Sequence, residues 1–426
     1  MSSAVELTSP HEGPARVSPT EVNWRQIIWC NDCNMRHTDV VIAGAGLAGS
    51  AAAAMLAEAG TDVLLIDPRE IYPPDFRCEK LDVSQIEILR KTGLADAVLN
   101  AATPDRSLAI ARFGRVVERR DGRQCGIHYA DLVNTVRRQV PANAFLPAKV
   151  DSVVTNADRQ ILSLSNGEEV SARLLVLATG LNLGLRHQLG LARKVISENH
   201  SISIGFDIKP VSRRDFDFSA LTCYSESPAT RVAYVAFFPI GETTRANLFV
   251  YRDLHDAWLK RFRAAPREIL LEVLPSLSQL IGPFEVHGDV KIRPVDLYVT
   301  EGHRQGGVVL VGDAFATSCP AAGTGAGKAL MDVQRLCNIY IPQWLATPGM
   351  GAKKIAAFYD DPEKQAYDAW CTNKAYALKR LSLDTSLPWV AQRWARFALH
   401  GARGALRAAK RRLTGATASV ALSSEH

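Results

Sequence analysis

The sequence predicts an α/β protein with a mostly antiparallel β-sheet inserted into it and a helical C-terminus. Three observations carry this reading. Apolar strands at 39–43 and 308–311 each run into a glycine-rich turn followed by a helix-forming segment. Between about 200 and 300 the segments alternate or run β-branched and aromatic, which is strand chemistry for an antiparallel sheet. From about 350 onward the chain reads as helical.

Taken in order, residues 1–37 resemble a tail, polar and Pro-rich over the first 20, and Met35 makes a natural start for the strand that follows. Cys30 and Cys33, with His37 after them, have the spacing of half a zinc site. No second Cys or His pair completes it, so no metal is predicted. Val40-Val41-Ile42 is a short buried strand, 50–59 an alanine-rich helix ended by Gly60, and Val63-Leu64-Leu65-Ile66 the next strand, closing on Asp67. Residues 78–100 and 130–140 read as helices, and 174–180 as a buried strand ending in Ala178-Thr179-Gly180. Strands at 201–205, 231–237 and 246–251, with a helix near 254–264, make up the inserted sheet. A helix then follows Gly325. The predicted division is a tail at 1–37, a nucleotide-binding domain at 38–198 and 301–345, a sheet domain at 199–300, and a helical region at 346–426.

The chain has 426 residues, of which 47% are hydrophobic and 22% charged, enough to bury a sizeable core. The net charge of +6 is mild, and much of it sits in one C-terminal stretch, so no nucleic-acid partner is predicted. The first 20 residues lack an apolar leader segment, and no run approaches the ~18 apolar residues of a membrane span. The expected location is cytoplasmic, with the eight cysteines reduced.

Gly44-x-Gly46-x-x-Gly49 follows a strand and opens a helix, the context in which such a motif binds a dinucleotide. Gly44 makes the turn, Gly46 lets a pyrophosphate approach the helix N-terminus, and Gly49 lets helix and strand pack closely. Ala45, Leu47 and Ala48 complete the loop. Asp67, 23 residues after Gly44, stands where a carboxylate would hold an adenosine ribose. Far downstream, Gly312-Asp313 closes a second apolar strand, and Pro320-x-x-Gly323-Thr324-Gly325 opens a helix. An aspartate there can accept hydrogen bonds from a polyol, and the free N–H groups of the helix favour negative charge.

With both segments in view, 38–345 resembles the FAD-dependent aromatic hydroxylases, the para-hydroxybenzoate hydroxylase-like flavoprotein monooxygenases. The resemblance implies a Rossmann-like FAD-binding domain. It gives the ADP half of FAD to Gly44, Gly46, Gly49 and Asp67, the ribityl chain to Asp313, and the isoalloxazine to the loop of Pro320, Gly323 and Gly325. It adds Arg77, ahead of the helix, as a further FAD contact. The sequence departs from the family at Tyr129, where Arg or Gln is usual, at Gly327, where Asn is usual, and at Ala178-Thr179-Gly180, where Asp-Gly is usual. The implied activity is hydroxylation of an aromatic or other electron-rich small molecule, with NAD(P)H and dioxygen as co-substrates and a flavin C4a-hydroperoxide as oxygen donor. A single dinucleotide fingerprint agrees with NAD(P)H acting without a fold of its own. Flavin-dependent reductases of isoprenoid double bonds share the same motifs and are the alternative. A flavin-dependent halogenase, whose tryptophan-rich tag is missing, and a non-catalytic FAD-binding protein rank below it.

Tyr224, Tyr234, Phe237 and Phe238 are the candidate lining of the substrate pocket. No catalytic base is assigned; His287 and His303 lie in the right half of the chain, and Cys319 reads as a small buried filler. Residues 389–413 form a basic amphipathic stretch, with Arg393, Arg396, His400, Arg403, Arg407 and Lys410 recurring at spacings of three and four. Such a helix can lie on an anionic membrane surface or dock on the protein itself.

Overall fold

The computed structural model describes residues 35–422. The Cys30–Cys33 pair and most of the N-terminal tail lie outside these residues. The first strand already begins within the predicted tail, at Arg36–Ala43.

Among the described residues, two seven-stranded sheets organise the fold. In the first, Arg36–Ala43 lies between Val63–Ile66 and Glu169–Leu177 in parallel register, with Val40 opposite both Val63 and Leu174. Val308–Leu310 joins the far end of Glu169–Leu177, also in parallel. These strands are apolar on both faces because both are covered. The helix Leu47–Glu58 packs on one face, and every residue from Leu47 to Leu56 is buried. Its run of alanines lets the helix axis come close to the strands without side chains holding it off.

The predicted helix at 78–100 is two helices, Val83–Lys91 and Ala95–Ala101. Asp82 and Gln85 start the first with a reciprocal capping box, and Gly93, at φ +75°, turns the chain out of it.

The second sheet runs in the order Phe284–Glu301, Ala192–Pro210, Thr243–Val250, Val232–Ile240, Ala220–Tyr224, Ser107–Arg112, Arg115–Asp121. Its last two strands come from within residues 38–198. Ser107–Arg112 pairs in parallel with Ala220–Tyr224, across more than a hundred residues of chain. Strand alternation gives this sheet two unlike faces. On one, Ile202, Ile204, Phe206, Val235, Phe237 and Leu248 meet Trp258, Phe262, Leu270 and Leu277 from three short helices. The other face looks back toward the first sheet.

Three helices close the chain: Ala352–Tyr359, Pro362–Leu383 and Leu387–Leu422. The last lies against the strand Arg115–Asp121. Phe113 stacks on Trp394 with ring centroids 5.6 Å apart. A Cβ placed on Gly404 would stand 2.2 Å from the Val117 carbonyl oxygen, so only glycine lets the helix come this close. The buried Glu118 binds Arg120 at 2.9 Å, His400 at 2.6 Å, and Arg407. Burial pushes the Glu118 carboxyl up, but the hydrogen bonds from Arg120 and His400 and the charges of Arg120 and Arg407 outweigh it and hold it at about 2. Two of the predicted basic residues, His400 and Arg407, are thus committed to the protein itself. No helix among the described residues is long and apolar enough to cross a membrane.

Candidate functional site

A cavity of about 750 Å³ lies between the sheets and connects the two glycine segments. Gly44, Gly46, Leu47, Ala48, Asp67 and Arg77 line it from the first half of the chain; Gly312, Asp313, Pro320, Gly323 and Gly325 line it from the second. Gly44 takes φ +102°, and a Cβ on it would meet the Ala178 carbonyl oxygen at 2.7 Å. Gly49 works from behind: its Cβ would fall 1.9 Å from the Gly44 carbonyl oxygen. Gly46 is different, because a Cβ there meets nothing within 4 Å and would project into open space.

The helices that start at Leu47 and Gly325 carry no side-chain N-cap, so their first N–H groups are left for another acceptor. Asp67 accepts a hydrogen bond from the Ala45 N–H at 2.9 Å, which fixes its carboxylate beside the loop. Uncapped helix starts, an open glycine cradle and a carboxylate at its rim fit the phosphates and ribose of FAD.

Arg77 joins the two segments. Its guanidinium donates to Asp313 at 2.9 Å and to Asp75 at 2.6 Å, and lies 5.7 Å from the centroid of the Tyr129 ring. Arg293 of the second sheet donates to the other Asp75 oxygen at 2.7 Å. Burial pushes the Asp75 carboxyl up, but the two arginines hold it below the usual carboxylate range. An ion chain Asp313–Arg77–Asp75–Arg293 thus crosses one wall of the cavity and ties the sheets together.

Behind Gly312 sits a second set of charges. The Gly312 N–H donates to Asp332 at 2.9 Å, and Asp332 in turn accepts from Lys364 at 2.7 Å and Lys328 at 3.4 Å. All three side chains are buried, and the two lysines hold the Asp332 carboxyl down against the upward push of burial.

Several expected site residues stand elsewhere. Ala45, Gly49 and Thr324 do not line the cavity; Ala45 contributes its N–H, Gly49 its closeness, and Thr324 is 1% exposed at the start of its helix. Of the four aromatics, Tyr234 and Phe238 face the cavity. Phe237, one residue from Phe238 on the same strand, must point to the other face and belongs to the core under the short helices. Tyr224 packs on Tyr234 at 5.7 Å but lines a neighbouring chamber of about 740 Å³, together with Lys80, Trp370, Lys374 and Arg396. Tyr234 lies in the wall between the chambers and donates to the Ala321 carbonyl at 2.7 Å.

His287 and His303 line neither chamber. Cys319 is buried against Ser201, and Cys78, which does line the cavity, has its thiol pushed up to about 12 by burial. Among the described residues no cluster of His, Cys, Asp or Glu could hold a metal.

Two departures from the family pattern have local causes. Tyr129 fills its place as a ring against both Arg77 and Tyr72. At Gly327 a Cβ would stand 2.3 Å from the Tyr367 hydroxyl on the helix Pro362–Leu383, so a larger residue there would have to displace that ring.

The fold and the glycine cradles define a flavin-nucleotide protein. The chain belongs to the family described as FAD binding domain, which matches residues 37–342 and whose relatives are FAD-dependent oxidoreductases. Among curated proteins it is similar to menaquinone reductase of Mycobacterium tuberculosis, 33% identical over 164 residues, which span 36% of this chain and 40% of that protein. It is also similar to ubiquinone hydroxylase UbiL of Rhodospirillum rubrum, 25% identical over 354 residues and 76% of either chain. Among solved structures, p-nitrophenol 4-monooxygenase PnpA from Pseudomonas putida shares the fold, with a TM-score of 0.67 at 18% identity, covering 87% of this chain and 95% of that one.

Proposed function

We propose that the chain is an FAD-dependent monooxygenase that hydroxylates an aromatic or other electron-rich small molecule at the expense of NAD(P)H and dioxygen. One observation carries this reading: a single cavity runs from the two glycine cradles to an aromatic-lined face of the second sheet. FAD bound there would accept electrons from NAD(P)H and deliver oxygen to the substrate.

The protein's own contribution is placement and exclusion of water. Uncapped helix starts and Asp67 hold the ADP half, while Asp313 and Arg77 hold the ribityl region. The Pro320–Gly325 loop, fixed by Tyr234 through Ala321 and by Gln85 through Gly323, faces the ring system. Tyr234, Phe238 and Phe249 supply an apolar wall for the substrate. In this reading 38–198 and 301–345 carry the cofactor and 199–300 most of the substrate surface. The test is NAD(P)H oxidation by the FAD-loaded chain across phenols, quinols and polycyclic aromatics. Oxidation accompanied by a hydroxylated product supports the reading; oxidation that no substrate changes, or that yields only peroxide, rejects it.

The likeness to menaquinone reductase favours a second reading, reduction of an isoprenoid double bond in the same cavity. That activity would proceed without dioxygen and add two hydrogens to the substrate.

A further inference from the structure

Three polar side chains in the cavity wall take no part in holding the glycine segments. Glu79 is 3% exposed, Ser203 5% and Asn247 6%, and all three line the cavity. They come together because of strand register. Ser203 pairs with Phe249, Gly205 with Asn247 and Asp207 with Arg245, so all six stand on one face of the sheet. The segment carrying Glu79 reaches this face over Gly205, where a Cβ would stand 2.3 Å from the Phe76 ring.

What these side chains leave unpaired is specific. The Asn247 side chain hydrogen-bonds the Glu79 carboxylate, yet Glu79 Oε2, Asn247 Oδ1 and Ser203 Oγ have no partner. Arg245 Nε stands 3.5 Å from Glu79 Oε2 and 2.9 Å from Asp207 Oδ1, an ion pair with each but a hydrogen bond to neither. Asn247 Oδ1 can only accept a hydrogen bond, Glu79 Oε2 only accepts once the carboxyl is ionised, and Ser203 Oγ can do either. Phe249, Tyr234, Phe238 and Pro294 line the same cavity as an apolar wall. Buried acceptors beside an apolar wall match a ligand that brings O–H donors on an apolar body, and they oppose a carboxylate.

We propose that Glu79, Asn247 and Ser203 form the specificity patch of the substrate chamber, and that they select a neutral hydroxyl-bearing apolar molecule, a phenol or quinol, over its ether and over the corresponding carboxylate. The proposal rests on the reading of this cavity as the substrate chamber. Glu79 acts as hydrogen-bond acceptor to the substrate hydroxyl. Burial pushes its carboxyl up, against the pull of Arg245, to about 7, so its acceptor form fills as pH rises through neutrality. The charged groups around it are Arg245 and Asp207 on the sheet and Lys291 on Phe284–Glu301; His128, before the helix Tyr129–Arg137, shares these same neighbours.

The test is binding to the oxidised, FAD-loaded full chain without NAD(P)H, read as the perturbation of flavin absorbance. The probes are 2-naphthol, 2-methoxynaphthalene and 2-naphthoate. The expected result is that 2-naphthol binds at least ~10-fold tighter than its ether, and the naphthoate weakest. The preference for naphthol should grow as pH rises through about 7 in the wild type and should be flat in Glu79→Gln. If Glu79→Gln fails to load FAD, Asn247→Leu removes one acceptor and should narrow the preference several-fold. Equal binding of naphthol and ether, binding of no member of the series, or a preference that survives both variants overturns the proposal. Because nothing turns over, the outcome is independent of whether the chain hydroxylates: Glu79-dependent naphthol binding would leave the patch standing even where the separate turnover assay with NAD(P)H rejected the monooxygenase reading.

Discussion

Gly46 and Gly49 sit three residues apart in one motif and are given different duties by their surroundings, so alanine at each should fail differently. At Gly49 the new Cβ would lie 1.9 Å from the Gly44 carbonyl oxygen. Ordinary C···O contact is about 3.4 Å, so helix and strand would have to part by roughly 1.5 Å, an overpacking that costs roughly 1–3 kcal/mol. At Gly46 the Cβ meets no protein atom within 4 Å, and φ is −73°, which alanine adopts freely. Gly46→Ala should therefore leave the stability of the FAD-free protein within about 1 kcal/mol of wild type. Its methyl instead occupies the space a pyrophosphate needs, and a tenfold or greater loss of FAD affinity, about 1.4 kcal/mol, is expected. Urea unfolding of the FAD-free protein and fluorescence titration with FAD separate the two. If Gly46→Ala binds FAD like wild type, or if Gly49→Ala is as stable as wild type, the assignment of cradle and packing glycine is wrong.

Other perturbations follow from the same geometry. Asp332→Ala leaves buried Lys328 and Lys364 with Asp368 as their one shared carboxylate and frees the Gly312 N–H, so a loss of about 1–3 kcal/mol in unfolding free energy is expected, with lowered FAD occupancy. Gly327→Ala places a methyl against the Tyr367 hydroxyl and should destabilise by about 1–3 kcal/mol; Tyr367→Phe in the same chain should recover part of this, which a double-mutant cycle would show. The Glu118 carboxyl sits at about 2 against an ordinary 4.5, so its contribution is fully present above pH 4.5 and is lost as pH falls through about 2. Trp394 fluorescence should report release of the C-terminal helix across that window, and in Glu118→Gln the release should already be measurable at neutral pH. Glu79 has the opposite sign: raised to about 7, its contribution is fully present below pH 4.5 and is lost as pH rises through about 7, so Glu79→Gln should gain thermal stability relative to wild type progressively above pH 4.5, with the full gain reached once pH has passed about 7.

The parts of the site that were legible in sequence are the local ones. The turn at Gly44 needs positive φ, the packing at Gly49 needs a missing Cβ, and both needs are met within one strand–turn–helix unit. Arg77 was legible only through family spacing, since its partner Asp313 lies 236 residues away. Asp75 and Arg293, and likewise Glu79 and Asn247, left no local signal. They meet because one strand register sets Asn247 beside Gly205, and a glycine there admits the segment at 76–79.

The aromatic pair Phe237 and Phe238 shows the other limit. Alternation says that adjacent residues of a strand cannot share a face, but not which face holds the ligand. The hairpin Ser107–Asp121 leaves no signal of its own in the sequence reading; its apolar face is buried in the second sheet through a parallel pairing that only the tertiary fold creates. The basic stretch at 389–413 is amphipathic on its own terms; Phe113 and Glu118, more than 270 residues earlier, supply what it packs against.

The most direct test of the proposed function is product analysis after the FAD-loaded chain has been incubated with NAD(P)H, a phenol or quinol that it binds, and isotopically labelled dioxygen. A monooxygenase will place one labelled oxygen atom in the product for each NAD(P)H consumed in productive turnover. A product that gains two hydrogens and no label, or turnover that proceeds equally well without dioxygen, would contradict it.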